Sequence, residues 1–597
     1  MNKSFSALLL LFITASISFA QVSSQDNQAC NPEFARLLVE QQVSESKMVE
    51  ETDKRIKILL RSADFLWKFD APTARKYFME AFQVANERFN EKGFEETKIG
   101  DKERAITSLK PDYRLEVIRA IAKKDGEWAK RLTEQILTEY EKTSKERTDE
   151  FNKTREVSSL LDIAQETVKN NPNLSWYLFR RVMKYPLDSH WYFTLYSVAT
   201  ENPQVADTLY LELLRNYANE TPRRLLFLSA YPFMNERIFG IDKFQFGTSV
   251  PANASPNPNL QKQFMETFFR RIDIFANSAD DINRADEQYR QPEALYAYTT
   301  LQEIEPIVLQ TFPNLLERFS QAKAQANSLM SGENRKKLEA REKINESIGL
   351  GFDGRLELAE KADDEGKLKD VMIVNLIWAA EKEEDYKKTE NWLDKIQDES
   401  VRRDATNFFN FKRSKLAIEE NRLDEAKKYA ERIVEIEHRA SLYFEIAIKQ
   451  TKDVNEVAKV MDTLVEVSKM ARQAKDSVAK AQVLLGLANS FEKINHSIAL
   501  TELSEAINVI NRLENPNIFS TSVTRQIVGK EFAFYSVFST PGYNMETTFE
   551  EISKKDFELS LANAKNLNDK YFRTLAVLAV AKNCVKNAPK TKTKNKP

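Results

Sequence analysis

The sequence predicts an all-α protein, an α-solenoid of stacked antiparallel helix pairs that is divided into two or more segments. Glycine is rare, with 13 residues in 597, and none lies between Gly366 and Gly486. Alternating runs of β-branched residues, which indicate strands, are scarce as well. Apolar residues recur instead with the 3.6-residue period of a helix.

Single helices are predicted wherever apolar residues fall on one stripe. One stripe near the N-terminus has the spacing i, i+1, i+4, i+7 and i+8 and comprises Leu59, Leu60, Ala63, Leu66 and Trp67. A later stripe has Lys, Glu and Arg on its opposite face and comprises Leu423, Ala426, Ala430, Ile433 and Val434. Each stripe predicts an amphipathic helix with one buried face.

The predicted helices come in pairs with a recurring layout. A first helix opens with a polar residue and carries a Leu/Ala stripe, and a second helix follows a short polar break. The ranges 55–63 and 114–122 are predicted as first helices, and 573–581 as a final one. Within 386–433 the pattern repeats at an offset of 37 residues. Such pairs must stack, because an isolated pair cannot bury its apolar stripe.

One pair resembles a known repeat family. The run Asn421–Ile433 is similar to the second helix of a tetratricopeptide repeat, and Ser414 and Ala417 occupy the small-residue positions of the helix before it. The resemblance covers roughly residues 340–515. It implies an α-solenoid whose concave face commonly binds peptides or proteins.

The first 20 residues have the pattern of a cleavable secretory signal. Lys3 provides a positive start, Ala7–Ile13 is uninterruptedly apolar, and small residues occupy positions −3 and −1 before a cleavage site after Ala20. The apolar run is shorter than the ~20 residues that cross a bilayer. We therefore expect an exported protein, periplasmic or extracellular, without stable membrane insertion after signal removal.

The charge balance argues against nucleic-acid binding. The chain carries 88 basic and 90 acidic residues, and loss of Lys3 makes the mature net charge about −3. A nearly neutral, mixed surface has no electrostatic attraction for phosphate backbones. We expect a protein or peptide partner and no nucleic acid.

The two cysteines, Cys30 and Cys584, lie near opposite ends of the chain. In an oxidising compartment they could pair. Because a disulfide needs Cα atoms within ~7 Å, pairing requires that the array closes on itself or that two subunits join. The alternative is two independent buried thiols.

Composition changes divide the chain further. The predicted segments are a signal peptide (1–20), an N-terminal repeat region (21–239), a Pro/Asn-rich loop or linker (240–259), a helical segment (260–346), a repeat region (347–515), a C-terminal helical segment (516–585) and a Lys-rich disordered tail (586–597). Within the C-terminal segment, residues 532–538 are either extended or an aromatic-rich helix.

No catalytic, cofactor or metal pattern is convincing. Residues 349–354 match G-x-G-x-x-G, but a polar helix rather than a buried strand is predicted before them, which favours a hinge over a dinucleotide site. The three histidines, His190, His438 and His496, form no close ligand pair. We expect no cofactor.

Aromatic density is highest between residues 176 and 196. Exposed rings could stack on a sugar or anchor a peptide, and the candidates for such a ligand surface are Trp176, Tyr177, Trp191, Tyr192 and Tyr196. Alternatively, the rings wedge between successive helix pairs. His190, in their midst, is predicted to be a satisfied interior histidine.

Three functions remain open from the sequence. The first is an exported scaffold that binds a protein or peptide. The second is a secreted polysaccharide-active enzyme, a lyase or glycosidase, on an α/α toroid, and such a ring would also bring Cys30 and Cys584 together. The third is a structural spacer. The lack of catalytic signatures favours the first.

Overall fold

In a computed structural model the protein is built almost entirely of helices. The structure describes residues 30–91, 94–99, 104–109, 112–143, 150–240, 249–277, 285–286, 291–336, 338, 350–366, 368–451, 457–514, 516–530 and 532–586. The predicted signal peptide and residues 587–597 of the predicted tail lie outside this set, as do Gly349 and the ten residues before it, 339–348. The all-α prediction is confirmed for the described residues.

The helices are given in chain order. Those before residue 220 are Pro32–Ser46, Thr52–Leu66, Ala71–Asn90, Tyr113–Ala122, Gly126–Thr143, Glu150–Thr167, Pro172–Val182, His190–Glu201 and Pro203–Asn216. The next are Pro222–Leu225, Pro258–Asn277, Glu293–Thr311, Leu316–Ser328, Phe352–Asp364, Asp370–Ala379, Glu383–Glu390, Glu399–Glu419, Leu423–Glu431 and Ile436–Gln450. The last are Val457–Gln473, Val478–Phe491, His496–Ile510, Met545–Ile552, Phe557–Lys565 and Lys570–Lys586. Short 3₁₀ turns occur at Leu226–Leu228, Tyr231–Phe233, Pro313–Leu315, Leu393–Lys395 and Pro541–Tyr543.

The chain forms two compact units. Unit 1 comprises residues 1–77 and 359–597, and unit 2 comprises residues 78–358. The first division falls inside the helix Ala71–Asn90 and the second inside Phe352–Asp364.

Unit 2 stacks helix pairs, because consecutive helices pack together and alternate helices also touch. Short connections between them make neighbours antiparallel. One charged side chain is wholly buried in this stack: Arg114 pairs with Asp112 and Glu139 at 2.8 and 2.6 Å, and its guanidinium lies 3.5 Å from the centre of the Phe89 ring. These partners offset the cost of burying the guanidinium charge in a low-dielectric interior.

Unit 1 contains the pairs between residues 370 and 510. Ala426 and Ala430 are fully buried on the second helix Leu423–Glu431, and the Ser414 hydroxyl donates to the Ala426 carbonyl at 2.9 Å. Small side chains thus let the two helices of this pair approach closely. Asn421 ends the first helix with a left-handed φ of 62°, a conformation that Asn tolerates at a helix C-terminus.

The first and last helices of the described chain pack against each other within unit 1. The first helix Pro32–Ser46 packs against the last helix Lys570–Lys586, and the Thr574 hydroxyl donates to the Gln42 side chain at 3.0 Å in a buried position. A disulfide joins Cys30 to Cys584, whose Cα atoms lie 4.8 Å apart. The helix predicted at 573–581 thus finds its partner at the other end of the sequence, which periodicity alone does not reveal.

Sheet is confined to two-stranded antiparallel ladders among the described residues. Their strands are Phe94–Ile99 with Arg104–Leu109, Ala285–Asp286 with Gln291–Pro292, and Ser522–Val528 with Ala533–Ser539. The last ladder, called the hairpin below, lies in the predicted C-terminal helical segment 516–585 and contains residues 533–538 of the stretch that the sequence left open between an extended segment and a helix. Its first strand alternates exposed and buried side chains, the two-residue period of a strand with one covered face.

No described helix combines the length and apolarity needed to cross a bilayer.

Candidate functional site

Between residues 370 and 491 the first helices of successive pairs contact one another and form a continuous surface, called the first-helix face below. Its four helices are Asp370–Ala379, Glu399–Glu419, Ile436–Gln450 and Val478–Phe491. The second helices lie outside this row. Any segment that crosses the face therefore meets several repeats at once.

The segment that contains the hairpin lies across this face. The Gln482 side chain donates to the Ser520 carbonyl at 3.4 Å, and the Tyr543 hydroxyl donates to the Glu437 carbonyl at 2.5 Å. Gly486 permits the close approach, because a Cβ there would lie 2.6 Å from the Phe444 ring and 3.1 Å from the Tyr543 ring. The segment therefore meets the helices Ile436–Gln450 and Val478–Phe491 on either side of the hairpin.

The second strand of the hairpin places rings on the face at alternate positions. The Phe534 ring centre lies 5.6 Å from that of Trp378, and the Phe538 ring centre lies 5.0 Å from that of Phe411 and 5.6 Å from that of His438. Alternate residues of a strand point to the same side, so one extended segment reaches three first helices. Ring pairs at these separations are favourable beyond the area they bury.

The first strand inserts a charge among these rings. Arg525 is 5% exposed, and its guanidinium lies 3.8 Å from the centre of the Phe411 ring. Its Nη1 donates to the Asn407 carbonyl over 3.4 Å, whereas its Nε and Nη2 have no hydrogen-bond partner within the described part of the chain. Burial lowers the pKa of Arg525 to about 10, against the opposing effect of Glu435 and Glu437. The side chain is therefore still charged at pH 7.

The residues around Arg525 are polar and incompletely paired. Burial, and then the nearby Arg525 charge, lowers the pKa of His438 to about 3, so its imidazole is neutral at pH 7. Its Nδ1 lies 3.8 Å from Glu435 Oε2, and neither atom has a hydrogen-bond partner in the described residues. Burial raises the pKa of Glu437. Buried polar groups without partners cost stability, so the polar part of this contact is poorly matched.

The second strand of the hairpin has apolar residues on its outer side, where they are open to solvent. Tyr535 and Val537 are 59% and 63% exposed, and Val528 is nearly half exposed. Tyr535 and Val537 alternate with the inward-facing Phe534 and Phe538 along the second strand. The hairpin therefore provides matched inward and outward positions for substitution.

Three of the five aromatic residues predicted as a ligand surface are buried in unit 2: Trp191, Tyr192 and Tyr196. The hydroxyls of Tyr192 and Tyr196 donate to the carbonyls of Glu236 and Asn235 at 2.5 and 2.7 Å. Burial and these contacts correct the ligand-surface interpretation for the three, because such rings have no open face. They wedge between helices, the alternative that the sequence left open.

Trp176 and Tyr177 remain partly exposed. Trp176 lines a cleft of about 340 Å³ together with Lys169, Glu201 and Asn202, and the Arg180 guanidinium lies 5.6 Å from the centre of the Trp176 ring. Lys130 lies 5.2 Å from the centre of the Tyr177 ring. Of the predicted ligand surface, Trp176 is thus the residue that the structure places in a cleft.

The remaining histidines are paired with carboxylates. A hydrogen bond with Asp188 raises the pKa of His190, which is only half-buried rather than interior. His496 Nδ1 lies 2.7 Å from Glu492 Oε2, and its Nε2 lies 4.0 Å from Asp556 Oδ2. No group of three or more metal-binding side chains occurs in the described residues.

Sequence reasoning missed the site around Arg525. The run of aromatic residues at 532–538 was a signal for an extended segment, but nothing local indicates that Arg525 meets Asn407 and His438. Those contacts join positions more than 80 residues apart along the chain, a distance over which helical periodicity carries no information.

Comparisons with known proteins add little. No family model matches the chain, and no curated protein matches it at the significance required. Among solved structures, one match is a designed circular tandem repeat protein with novel repeat topology and enhanced subunit contact surfaces. It is 12% identical, with 94% of this chain and 98% of that chain covered and a TM-score of 0.17. A TM-score this low carries no argument, so the fold assignment rests on the helices and their contacts.

Proposed function

We propose that this protein is an exported helical-repeat scaffold that binds an extended protein or peptide segment on the first-helix face of unit 1. One observation carries the proposal: the chain's own hairpin lies on that face and inserts Phe534 and Phe538 among the rings of its helices. A face that accepts one extended segment has the spacing to accept another with the same side-chain pattern.

The chemistry of the face supports this assignment. Trp378 is 37% exposed and stacks on Phe408 with ring centres 5.0 Å apart, so part of a large aromatic surface is open beside the hairpin. Aromatic residues of this kind are enriched at the centres of protein interfaces. The resemblance of residues 421–433 to a tetratricopeptide repeat points the same way, because that family commonly binds peptides or proteins.

Export is supported by two independent features. The first 20 residues have the pattern of a secretory signal, and the cysteines Cys30 and Cys584 meet at disulfide distance. Disulfides persist in oxidising compartments such as the periplasm and the extracellular space. We therefore propose that the mature chain works there.

Site-specific photocrosslinking in native cells tests the scaffold proposal. A benzophenone amino acid replaces Trp378 on the first-helix face or, as a matched control, Val465 on a second helix of the same unit, which is equally exposed at 37%. The expected result is a discrete protein adduct at position 378 and none at 465. Equal adducts at both positions, or none at either, would refute binding on the first-helix face.

A second candidate is the polysaccharide-active enzyme. The specific observations in its favour are the joined ends of the chain and the cleft that contains Trp176 and Glu201, since an indole can stack on a sugar ring. The joined ends lie within unit 1 and do not require a ring. Incubation with common polysaccharides decides the matter: new reducing or unsaturated ends that disappear in Trp176→Ala would favour the enzyme.

A further inference from the structure

The hairpin binds the helices mainly through apolar side chains. Its two strands hydrogen-bond to each other as a sheet. Phe534 and Phe538 of the second strand meet rings of the first-helix face, and Val523 and Ile527 of the first strand are buried on either side of Arg525. The polar contacts are a long one, 3.4 Å between Arg525 Nη1 and the Asn407 carbonyl, and a hydrogen bond between the Thr524 backbone and the His438 side chain. In the described residues, a backbone ladder joins the two strands of the hairpin to each other but does not join the hairpin to the helices.

The buried charge of Arg525 weakens the contact between the hairpin and the first-helix face. Arg525 Nε and Nη2, which lie on the same edge of the guanidinium, have no hydrogen-bond partner in the described part of the chain. Release of the hairpin would return them to water, and the groups left behind, His438 Nδ1 and Glu435 Oε2, would also gain hydration. Packing of the inward side chains stabilises the bound hairpin, whereas hydration of the unpaired polar groups favours its release. A contact with such opposed contributions opens more readily than a matched core.

We propose that the hairpin, residues 522–539, is a displaceable internal ligand of the first-helix face, and that an extended segment with aromatic side chains at alternate positions replaces it. This inference rests on the proposed function, because it takes the first-helix face to be the binding surface. It adds the pattern of the partner and a competitor built into the chain.

The pattern follows from the strand. Phe532, Phe534 and Phe538 fall at i, i+2 and i+6. Phe534 and Phe538 lie on the inward side of the strand, and the Phe532 ring, just before the strand, lies 5.8 Å from the Phe534 ring. In a helix Phe534 and Phe538, four residues apart, would share a face, whereas Phe532 would lie on the opposite side. The expected partner segment is therefore extended, carries aromatic residues two and four positions apart, and lacks a buried unpaired cation.

Hydrogen exchange of the intact protein tests the first part. Amides of residues 522–539 should exchange through an opening that leaves the helix Glu399–Glu419 protected. Arg525→Met removes the unpaired charge and should slow hairpin exchange about tenfold, as expected when a buried ion is replaced by an apolar side chain. Phe538→Ala should accelerate it on the order of tenfold through lost packing.

A peptide in trans tests the second part. The probe is a fluorescent synthetic peptide with the sequence of residues 519–541, and a control peptide carries serine at the three phenylalanine positions 532, 534 and 538. The probe should bind the Phe534→Ala/Phe538→Ala protein at least about tenfold more tightly than wild type, because the internal competitor is weakened. Val537→Ala, on the outward side of the same strand, should leave affinity and exchange unchanged. Circular dichroism of each variant confirms that its helices are intact.

The outcomes separate the two proposals. If hairpin amides exchange only with global unfolding, or the probe binds wild type and the double variant alike or neither, the displacement inference is overturned even where position 378 crosslinks to a partner. If the hairpin opens alone and accepts the probe while no adduct forms at position 378, the inference stands and the scaffold proposal fails.

Discussion

Two aromatic-rich regions of this protein differ in what lies beside their rings. In unit 2, the rings of Trp191, Tyr192 and Tyr196 are buried, and the two tyrosine hydroxyls donate to carbonyls. In unit 1, the rings that meet the hairpin surround Arg525 and His438, whose polar atoms are incompletely paired. Aromatic density in a sequence therefore locates a packed core as readily as a site. A buried, incompletely paired charge beside the rings distinguishes the two, because the buried Tyr210 hydroxyl of the first region also lacks a hydrogen-bond partner in the described residues but is neutral.

The largest effect should come from the packed region. Trp191→Ala removes a fully buried indole and should destabilise unit 2 by about 4 kcal/mol, the usual loss for a large aromatic deletion in a core. Urea unfolding followed by circular dichroism measures it. Tyr177→Ala, which removes a partly exposed ring from the neighbouring helix, is the control and should cost far less. Similar losses for both would contradict the packing described for unit 2.

The disulfide should rank second. Cys30→Ser together with Cys584→Ser should destabilise unit 1 by about 3 kcal/mol, within the range for native disulfides. The melting transition of unit 1 should fall while that of unit 2 stays in place, as calorimetry can resolve. Reducing agent should reproduce the shift in wild type and have no effect on the double variant. If reducing agent leaves the melting transition of wild-type unit 1 unchanged, the result would argue against the Cys30–Cys584 disulfide.

Acid should act on the hairpin site next. The pKa of His438 is about 3 in the folded chain, against 6.5 ordinarily. Between these two pH values the unfolded chain therefore binds a proton at His438 that the folded chain does not bind. Stability therefore falls as pH drops from about 6.5 toward 3. The raised pKa of Glu437 acts in the opposite direction, so the loss is smaller than His438 alone would give.

The variant His438→Gln isolates that effect. It cannot take up the proton, so its urea midpoint should depend less on pH than that of wild type. The charged neighbours Arg525, Glu435 and Glu437 are unchanged in this variant. Identical pH profiles for the two proteins would show that His438 is not held neutral by its surroundings.

The smallest effect should come from the cleft in unit 2. Trp176→Ala removes a ring that is partly exposed and should cost under about 1 kcal/mol, far less than Trp191→Ala. Crosslinking at position 378 should be unaffected. Loss of the adduct in this variant would move the binding surface from unit 1 to the cleft.

Much of the architecture could be predicted from the sequence, because it depends on local spacing. The stripe that contains Ala426 and Ala430 shows which face of that helix is buried, and both residues are fully buried in the structure. The pairing of the first and last helices could not be predicted, since Cys30 and Cys584 are 554 residues apart. Nor could the site, because Arg525 acquires its neighbours only when the hairpin crosses helices distant in sequence.

The burial of rings in the aromatic cluster at 176–196 could not be predicted for the same reason. Composition shows that Trp191 and Tyr196 are large and apolar, but whether a ring faces solvent depends on which helix arrives beside it. Only for residues on a clear stripe does the sequence show that orientation. For the hairpin strand, the sequence left an extended segment and a helix both open, and nothing local indicated the surface that the strand covers.

Displacement of the hairpin can be followed by the rate at which a thiol reagent modifies Ser536→Cys on its inward side. Neither natural cysteine carries a free thiol, so the label reports a single site. Ser62→Cys is the reference, because Ser62 is fully buried in a helix of the same unit. Labelling at position 536 that is much faster than at position 62, and slowed by Arg525→Met, is the expected result. Equal rates at the two positions, both set by global unfolding, would contradict a displaceable hairpin.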